Sequence, residues 1–408
     1  MSDEALAVGT PAPRDENSLR AIGRRKLEAW KEGDVGVMPV VVALILITVV
    51  FYKVNSNFLT AGNFTNLMTQ MAAVTTIAIG VVFVLLIGEI DLSIGYMSGI
   101  AGVVVAKLQY PDSSWEVHGI LAIAIAVLVV ALIGLFQGSF VAIIGVPSFV
   151  VTLAGLLIWQ GVIQLELPGV VVIQDNTINN VYGYFFSDLG GWIIGIIVSA
   201  AYVLGTLGAA LNGRRHGIPI RDPALLVGKL IAIPAITLLT VHISNKDRGV
   251  PFALVLVVVM LLVLTFLAKK TTFGRHVYAV GGNAEAARRA GIVVPRIRIL
   301  VFMISGFMAG LGGIILASRL QSVDLNAGGS TLLIDAIAAA VIGGTSLFGG
   351  RGEVRNALIG AALIATIANG MNTLGYENAI IYIVTGSILL FAVTFDTIVR
   401  RIQVRAGR

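Results

Sequence analysis

Residues 71–106, "MAAVTTIAIGVVFVLLIGEIDLSIGYMSGIAGVVVA", hold two apolar runs that part at "GEIDLSIG", Gly88 to Gly95. Neither run shows the two-residue alternation of a porin-like barrel, and the first approaches the roughly 20 residues that a helix needs to cross a bilayer core. Charge is costly in that setting, so Glu89 and Asp91 at a glycine-flanked break invite a functional reading. A break frees backbone amides and carbonyls that protein or a water-filled cavity must satisfy. Glu89, Asp91 and Ser93 are therefore candidate linings of a polar solute's path. A short turn with solvated carboxylates is the competing reading of the same residues.

Similar runs fill the chain, about twelve in all, near 37–52, 66–88, 93–109, 118–136, 147–165, 191–211, 224–243, 250–268, 297–317, 331–348, 354–373 and 377–398. With 57% hydrophobic and 12% charged residues, the chain departs from the roughly 25% charged of a soluble domain. The expected fold class is all-α, a polytopic transmembrane helical bundle of about 10–12 spans. The range stays open because 93–109 is short and ends at Lys107, while 331–348 contains Asp335 and "GGTSLFGG". Broken or re-entrant helices are expected there. Among the 47 glycines, "GYMSG" (95–99) and "GFMAG" (306–310) have the spacing of a tight helix crossing.

Several functions are poorly served by this composition. Without cysteine there is no disulfide, thiolate nucleophile or Cys-bound metal, and four scattered histidines make no metal site, so no metal or other cofactor is expected. The net charge of +6 comes from bases in separated loops, which fits membrane topology better than nucleic acid. No HExxH or GxSxG points to an enzyme, and no GxxxxGK[ST] exists to hold ATP. The glycine-rich "LLIDAIAAAVIGGTSLFGGRGEVRN" (332–356) is thus no Walker loop, though Thr345 and Ser346 offer hydroxyls to a solute. Asn369, Asn372 and Asn378 could meet a sugar hydroxyl, but such residues more often bond a neighbouring helix. Glu89 or Asp91 could also carry protons in a secondary transporter, which is the rival reading from another class.

If every run crosses, one side collects Arg20, Arg24, Arg25, Lys26, Lys31, Arg214, Arg215, Arg221, the block 269–298, Arg351, Arg355, Arg400, Arg401, Arg405 and Arg408. The other holds Lys53, Lys246, Arg248 and Arg319, and the polar loop 166–191 has no base. The positive-inside rule then puts both termini in the cytoplasm. Residues 1–36 read as a basic cytoplasmic arm without a signal peptide's apolar core, and 17–31 could lie as an amphipathic helix on the inner face. Residues 37–398 read as the transmembrane domain with a cytoplasmic loop at 269–298, and 399–408 as a basic tail.

Within "KKTTFGRHVYAVGGNAEAARRAGIVVPRIRI" (269–299), Glu285, Ala286 and Ala287 start a short helix that Gly291 ends, with Pro295 closing the turn. The flanking bases Lys269, Lys270, Arg296 and Arg298 would hold the loop at the inner membrane surface. The pattern resembles the EAA coupling loop of ABC importer permeases, with Ala290 where an Asp is common. "GEIDLSIGYMSGIAGVV" (88–104), "GVPSFVVTLAGLLIWQG" (145–161), "TTFGRHVYAVGGNAEAARRAGI" (271–292) and "LASRLQSVDLNAGGSTLLIDAIAAAVIGGTSLFGGRG" (316–352) resemble, in order, motifs of the ribose/xylose/arabinose-type sugar permeases. About 100 residues lie between "LLIWQG" and "TTFGRH", including an extra pair of apolar runs, and that length resembles the xylose type.

The resemblance implies a bacterial inner-membrane permease subunit that forms a homodimer around a solute path. It would receive a monosaccharide, xylose by the length argument, from a periplasmic sugar-binding protein and couple to a separate ABC ATPase subunit. Gly274, Arg275, Gly282, Asn283, Glu285, Ala286, Ala287 and Gly291 would form the ATPase-coupling loop. Another sugar, a nucleoside or a branched-chain amino acid is the alternative cargo within the same superfamily.

Overall fold

Each apolar run is a helix in the structure, a computed structural model that describes residues 38–109, 117–217 and 223–405. The basic arm, its 17–31 stretch and Arg221 lie outside the described residues. The helices are α1 (Met38–Val54), α2 (Ala61–Leu86), α3 (Ile94–Leu108), α4 (Gly119–Ser139, carried on by a π turn to Ile144), α5 (Ser148–Glu166), α6 (Asn176–Gly183), α7 (Asp188–Arg215) and α8 (Pro223–Ser244). They continue as α9 (Phe252–Lys270), α10 (Thr272–Gly282), α11 (Ala284–Arg289), α12 (Val294–Leu320), α13 (Ser330–Ile342), α14 (Asn356–Thr373) and α15 (Asn378–Arg405).

Seven of these, α2, α4, α5, α7, α8, α9 and α12, are long and apolar enough to cross a membrane. The shorter apolar helices include α3 and α13, with 15 and 13 residues. At 1.5 Å per residue these reach only about 20 Å, against a bilayer core of about 30 Å. The protein is a polytopic helical bundle with interrupted helices at the two predicted places.

The chain divides into two compact units. Among the described residues, the smaller comprises 192–217, 223–240 and 399–405, which is most of α7 and α8 and the end of α15. Its α7 and α8 leave Ile196, Leu204, Ile231 and Leu239 exposed. Pro234 interrupts the α8 hydrogen-bond ladder, and Thr237 donates back to the Ile233 carbonyl at 3.0 Å.

Among the described residues the larger unit, 38–109, 117–191 and 241–398, is built on α2 and α12. Ile77, Val82, Phe83 and Leu86 of α2 pack with Val301, Phe302 and Met308 of α12 in one buried cluster. Glycine permits α12 to touch α4 closely: a Cβ on Gly134 would strike the Phe302 carbonyl oxygen, and one on Gly306 the Val130 carbonyl oxygen. In an apolar solvent such contact, not hydrophobic expulsion, holds helices together. "GYMSG" marks a second close approach, with Gly95 and Gly99 against the Gly328 and Ala327 carbonyls.

Those contacts show what the two short helices are. Ser98 packs on Gly313 of α12, and Gly102 on Val323 and Ala317 near its far end. After α12 the chain turns back through 321–329 to the first turn of α3, and α13 starts there. The two half-helices start side by side and run to opposite ends of the unit. The polar loop 166–191 is folded, not loose. Strands β1 (Val171–Val172) and β2 (Phe185–Phe186) pair antiparallel with β4 (Ser322–Val323) and β3 (Val250–Pro251). Ser318 Oγ accepts from Tyr182 N and donates to the Asn179 carbonyl, which ties α6 to the end of α12.

Gly306→Val should therefore force α12 off α4 and cost roughly 1–3 kcal/mol. Gly161→Val, where a Cβ meets nothing within 4 Å, should leave thermal stability of the purified protein unchanged. Equal melting temperatures for the two variants would contradict this packing.

Candidate functional site

Gly88 turns the chain out of α2 with φ +76, a conformation that favours glycine. The segment that follows is fastened residue by residue. Ser148 Oγ of α5 accepts from Ile90 N at 3.2 Å, and Thr152 Oγ1 donates to the Ile90 carbonyl at 3.2 Å. Asp91 is buried and both its oxygens are occupied. Oδ1 accepts from Ser93 N at 3.0 Å and Ser93 Oγ at 2.6 Å, and Oδ2 accepts from Ser305 Oγ of α12 at 2.9 Å. A carboxylate at the start of α3 also meets the positive end of that helix.

Ser93 Oγ lies 2.8 Å from the Gln137 side-chain amide of α4. One hydroxyl proton cannot serve both Asp91 and an amide oxygen. We assign the amide with its nitrogen toward Ser93, which gives that nitrogen the partner it lacks in the opposite orientation. Glu89, one residue past the turn, pairs with Arg298 at 3.1 Å.

The predicted pathway residues fall in three places. Glu89, Asp91 and Ser93 stand together, and Asp91 and Ser93 face protein partners. Thr345 and Ser346 lie in the loop between α13 and α14, where Thr345 is buried. Asn369 of α14 accepts from Asn63 Nδ2 at 2.9 Å and donates to Gln70 Oε1 at 3.4 Å, so it bonds a neighbouring helix, α2. Ser305, Gln137, Ser148 and Thr152 were not singled out in the sequence. A lone amide in the apolar run of α4 was the one available signal.

The predicted coupling loop is two helices, not one. Thr271 Oγ1 caps α10 by accepting from Gly274 N at 3.2 Å, and Gly274 sits against the Ala268 carbonyl where no side chain fits. Arg275 is exposed, while Val277 and Val280 are buried beneath α10. Gly282 and Asn283 form the joint, and Asn283 Oδ1 caps α11 by accepting from Ala286 N at 2.9 Å. On α11, Ala287 is buried and Ala286, Arg288 and Arg289 are exposed. Glu285 pairs with Arg288 at 2.7 Å and Arg289 at 3.1 Å. Hydrogen bonds from these two arginines hold its carboxyl below the usual glutamate range.

Gly291 then turns the chain at φ +86. Pro295 does not close that turn; it lies in the first turn of α12, where its missing N–H costs nothing. Of the flanking bases, Lys269 pairs with Glu353 at 2.5 Å and Arg298 with Glu89, whereas Lys270 and Arg296 are exposed.

Interrupted helices around a buried polar break are an architecture that membrane transport proteins use. Residues 63–393 match the model of a family described as branched-chain amino acid transport system / permease component. The chain is 38% identical over 369 residues to the xylose transport system permease protein XylH of Escherichia coli K12, covering 89% of this chain and 92% of that protein. It is 37% identical over 367 residues to XylH of Haemophilus influenzae, covering 88% and 96%. It is 32% identical over 355 residues to the ribose import permease protein RbsC of Escherichia coli K12, covering 87% and 92%. No solved structure matches. The chain belongs to this permease family and is a multi-pass membrane protein.

Asp91→Ala should leave Ser93 and Ser305 without their acceptor and destabilise the protein by about 1–3 kcal/mol. Asp91→Asn, which keeps one acceptor oxygen, should cost less, and thermal melts of the two variants check the order. At α11 the sign is that of a lowered carboxyl. Whatever its pairing adds is in place above the ordinary glutamate range and is lost only as pH falls through the lowered value. Replacing Arg288 and Arg289 together with Gln should raise the Glu285 midpoint in an NMR titration.

Proposed function

We propose that the chain is the transmembrane permease subunit of an ABC importer in a bacterial inner membrane, and that it carries xylose. The observation that supports this most is the 38% identity to a xylose permease across 89% of the chain. In this reading the permease works as a homodimer with both termini in the cytoplasm. A periplasmic sugar-binding protein delivers the sugar, and a separate ATPase subunit grips α10 and α11. The form of α11 supports that last role: Ala287 fixes it to the protein while Glu285, Arg288 and Arg289 face outward. Closure of the ATPase dimer would then rock the bundle between outward-open and inward-open states as a mechanical coupling.

The 32% identity to a ribose permease favours one further cargo, another pentose such as ribose. Vesicles carrying this chain, its ATPase and its binding protein should take up xylose when supplied with ATP, and more of it than ribose or arabinose. Uptake driven by a pH gradient without any ATPase would replace the importer reading with a proton-coupled one. Gly291→Trp and Glu285→Arg should leave the protein in the membrane and lose most of the uptake while ATP hydrolysis continues.

A further inference from the structure

Three stretches of backbone meet where α10 reaches the break. They are the end of α2 (Leu86–Gly88), the end of α10 (Gly281–Gly282) and the α13–α14 loop at Phe348–Gly350. Few side chains separate them. A Cβ on Gly281 would run into the Leu86 carbonyl oxygen and stand 2.7 Å from Gly350 N. One on Gly349 would stand 2.8 Å from the Gly281 carbonyl oxygen and 2.9 Å from Gly88 N. Gly350 N donates to the Leu86 carbonyl at 2.9 Å. Around this crossing, Tyr278 Oη of α10 donates to the Gly352 carbonyl at 2.8 Å, and Lys269 of α9 pairs with Glu353 at 2.5 Å.

Backbone in direct contact is close to incompressible and has no rotamers to absorb a shift. A rotation of α10 is therefore passed to Gly88 and to the loop. Three residues after Gly88 comes Asp91, which accepts from Ser93 N just before α3 and from Ser305 of α12. A displacement at Gly88 accordingly reaches α3 and α12 by way of the buried break.

We propose that this glycine junction is the transmission between the α10–α11 handle and the Glu89–Ser93 break, with Gly281 and Tyr278 as positioning residues. The proposal rests on the importer reading above. The competing route is covalent, from α11 through Ile292 and Val293 into α12, in which case the junction is packing alone.

The complete complex of this chain, ATPase and binding protein, reconstituted in liposomes, separates the two through xylose moved per ATP hydrolysed. Gly281→Ala adds a methyl group where Leu86 leaves no room, and Tyr278→Phe removes one hydrogen bond. Both variants should insert, bind the ATPase and hydrolyse ATP. The xylose-to-ATP ratio should fall about tenfold in Gly281→Ala, the order of a coupling between sites, and less in Tyr278→Phe. If Gly281→Ala fails to assemble, Tyr278→Phe decides alone. A wild-type ratio in every variant that assembles overturns the transmission while leaving the importer intact. ATP hydrolysis without sugar movement in the wild type overturns the importer reading, and the transmission with it.

Discussion

A backbone that breaks inside an apolar bundle must find its hydrogen bonds within the protein, and this demand organises the structure around Glu89 to Ser93. Each polar group there draws in a different helix. Ile90 is clasped by Ser148 and Thr152 of α5, Asp91 by Ser305 of α12, and Ser93 by Gln137 of α4. An unmade bond at any of these would cost about 1–3 kcal/mol, so the break fixes the positions of three helices at once. The segment is a hub, and its carboxylate serves to build the hub before it can serve anything else.

Small residues supply the second half of that constraint. Apolar surfaces gain nothing by hiding from lipid, so helices must gain from close contact and backbone dipoles. Gly134 and Gly306 bring α4 and α12 together, while Gly95 and Gly99 admit the returning segment at Ala327 and Gly328. The two half-helices exist because glycine lets their starting turns share one small volume. The same residue type thus explains the crossings, the interrupted helices and the junction at Gly281.

Helix positions were legible in the sequence because bilayer thickness sets the length of an apolar run, and each run read that way is a helix. The interruptions at Gly88–Gly95 and around 331–348 were legible for the same reason, as runs too short or too polar to cross. Partners were not. Arg298, read as a surface anchor, faces Glu89 because the turn at Gly88 brings it to the first turns of α12. The loop 166–191 shows in the sequence only as polar and free of bases; its order comes from two-residue strand pairs and from Ser318, which no periodicity records. Nor did "TFGRHVYAVGG" read as a helix, with its glycines and β-branched residues of low propensity. It is one because Val277 and Val280 bury against the bundle.

The polar contacts of the larger unit fall into two grades, and the grading bears on how such a molecule could move. The ion pairs near the handle, Glu285 with Arg288 and Arg289, Lys269 with Glu353 and Arg355 with Glu353, all involve partly or fully exposed groups. Although partial burial opposes ionisation of Glu353, Lys269 and Arg355 hold its carboxyl below the usual range, so these pairs are formed at neutral pH. Exposed pairs are nevertheless worth little each and exchange readily with water and salt. The bonds at Asp91 and Ser93 are buried and have no such exchange partner. A bundle that rocks between two states would release the exposed pairs first and carry the buried hub through unchanged. Motion on this frame would then turn intact blocks, with the Asp91 cluster moving as part of a block.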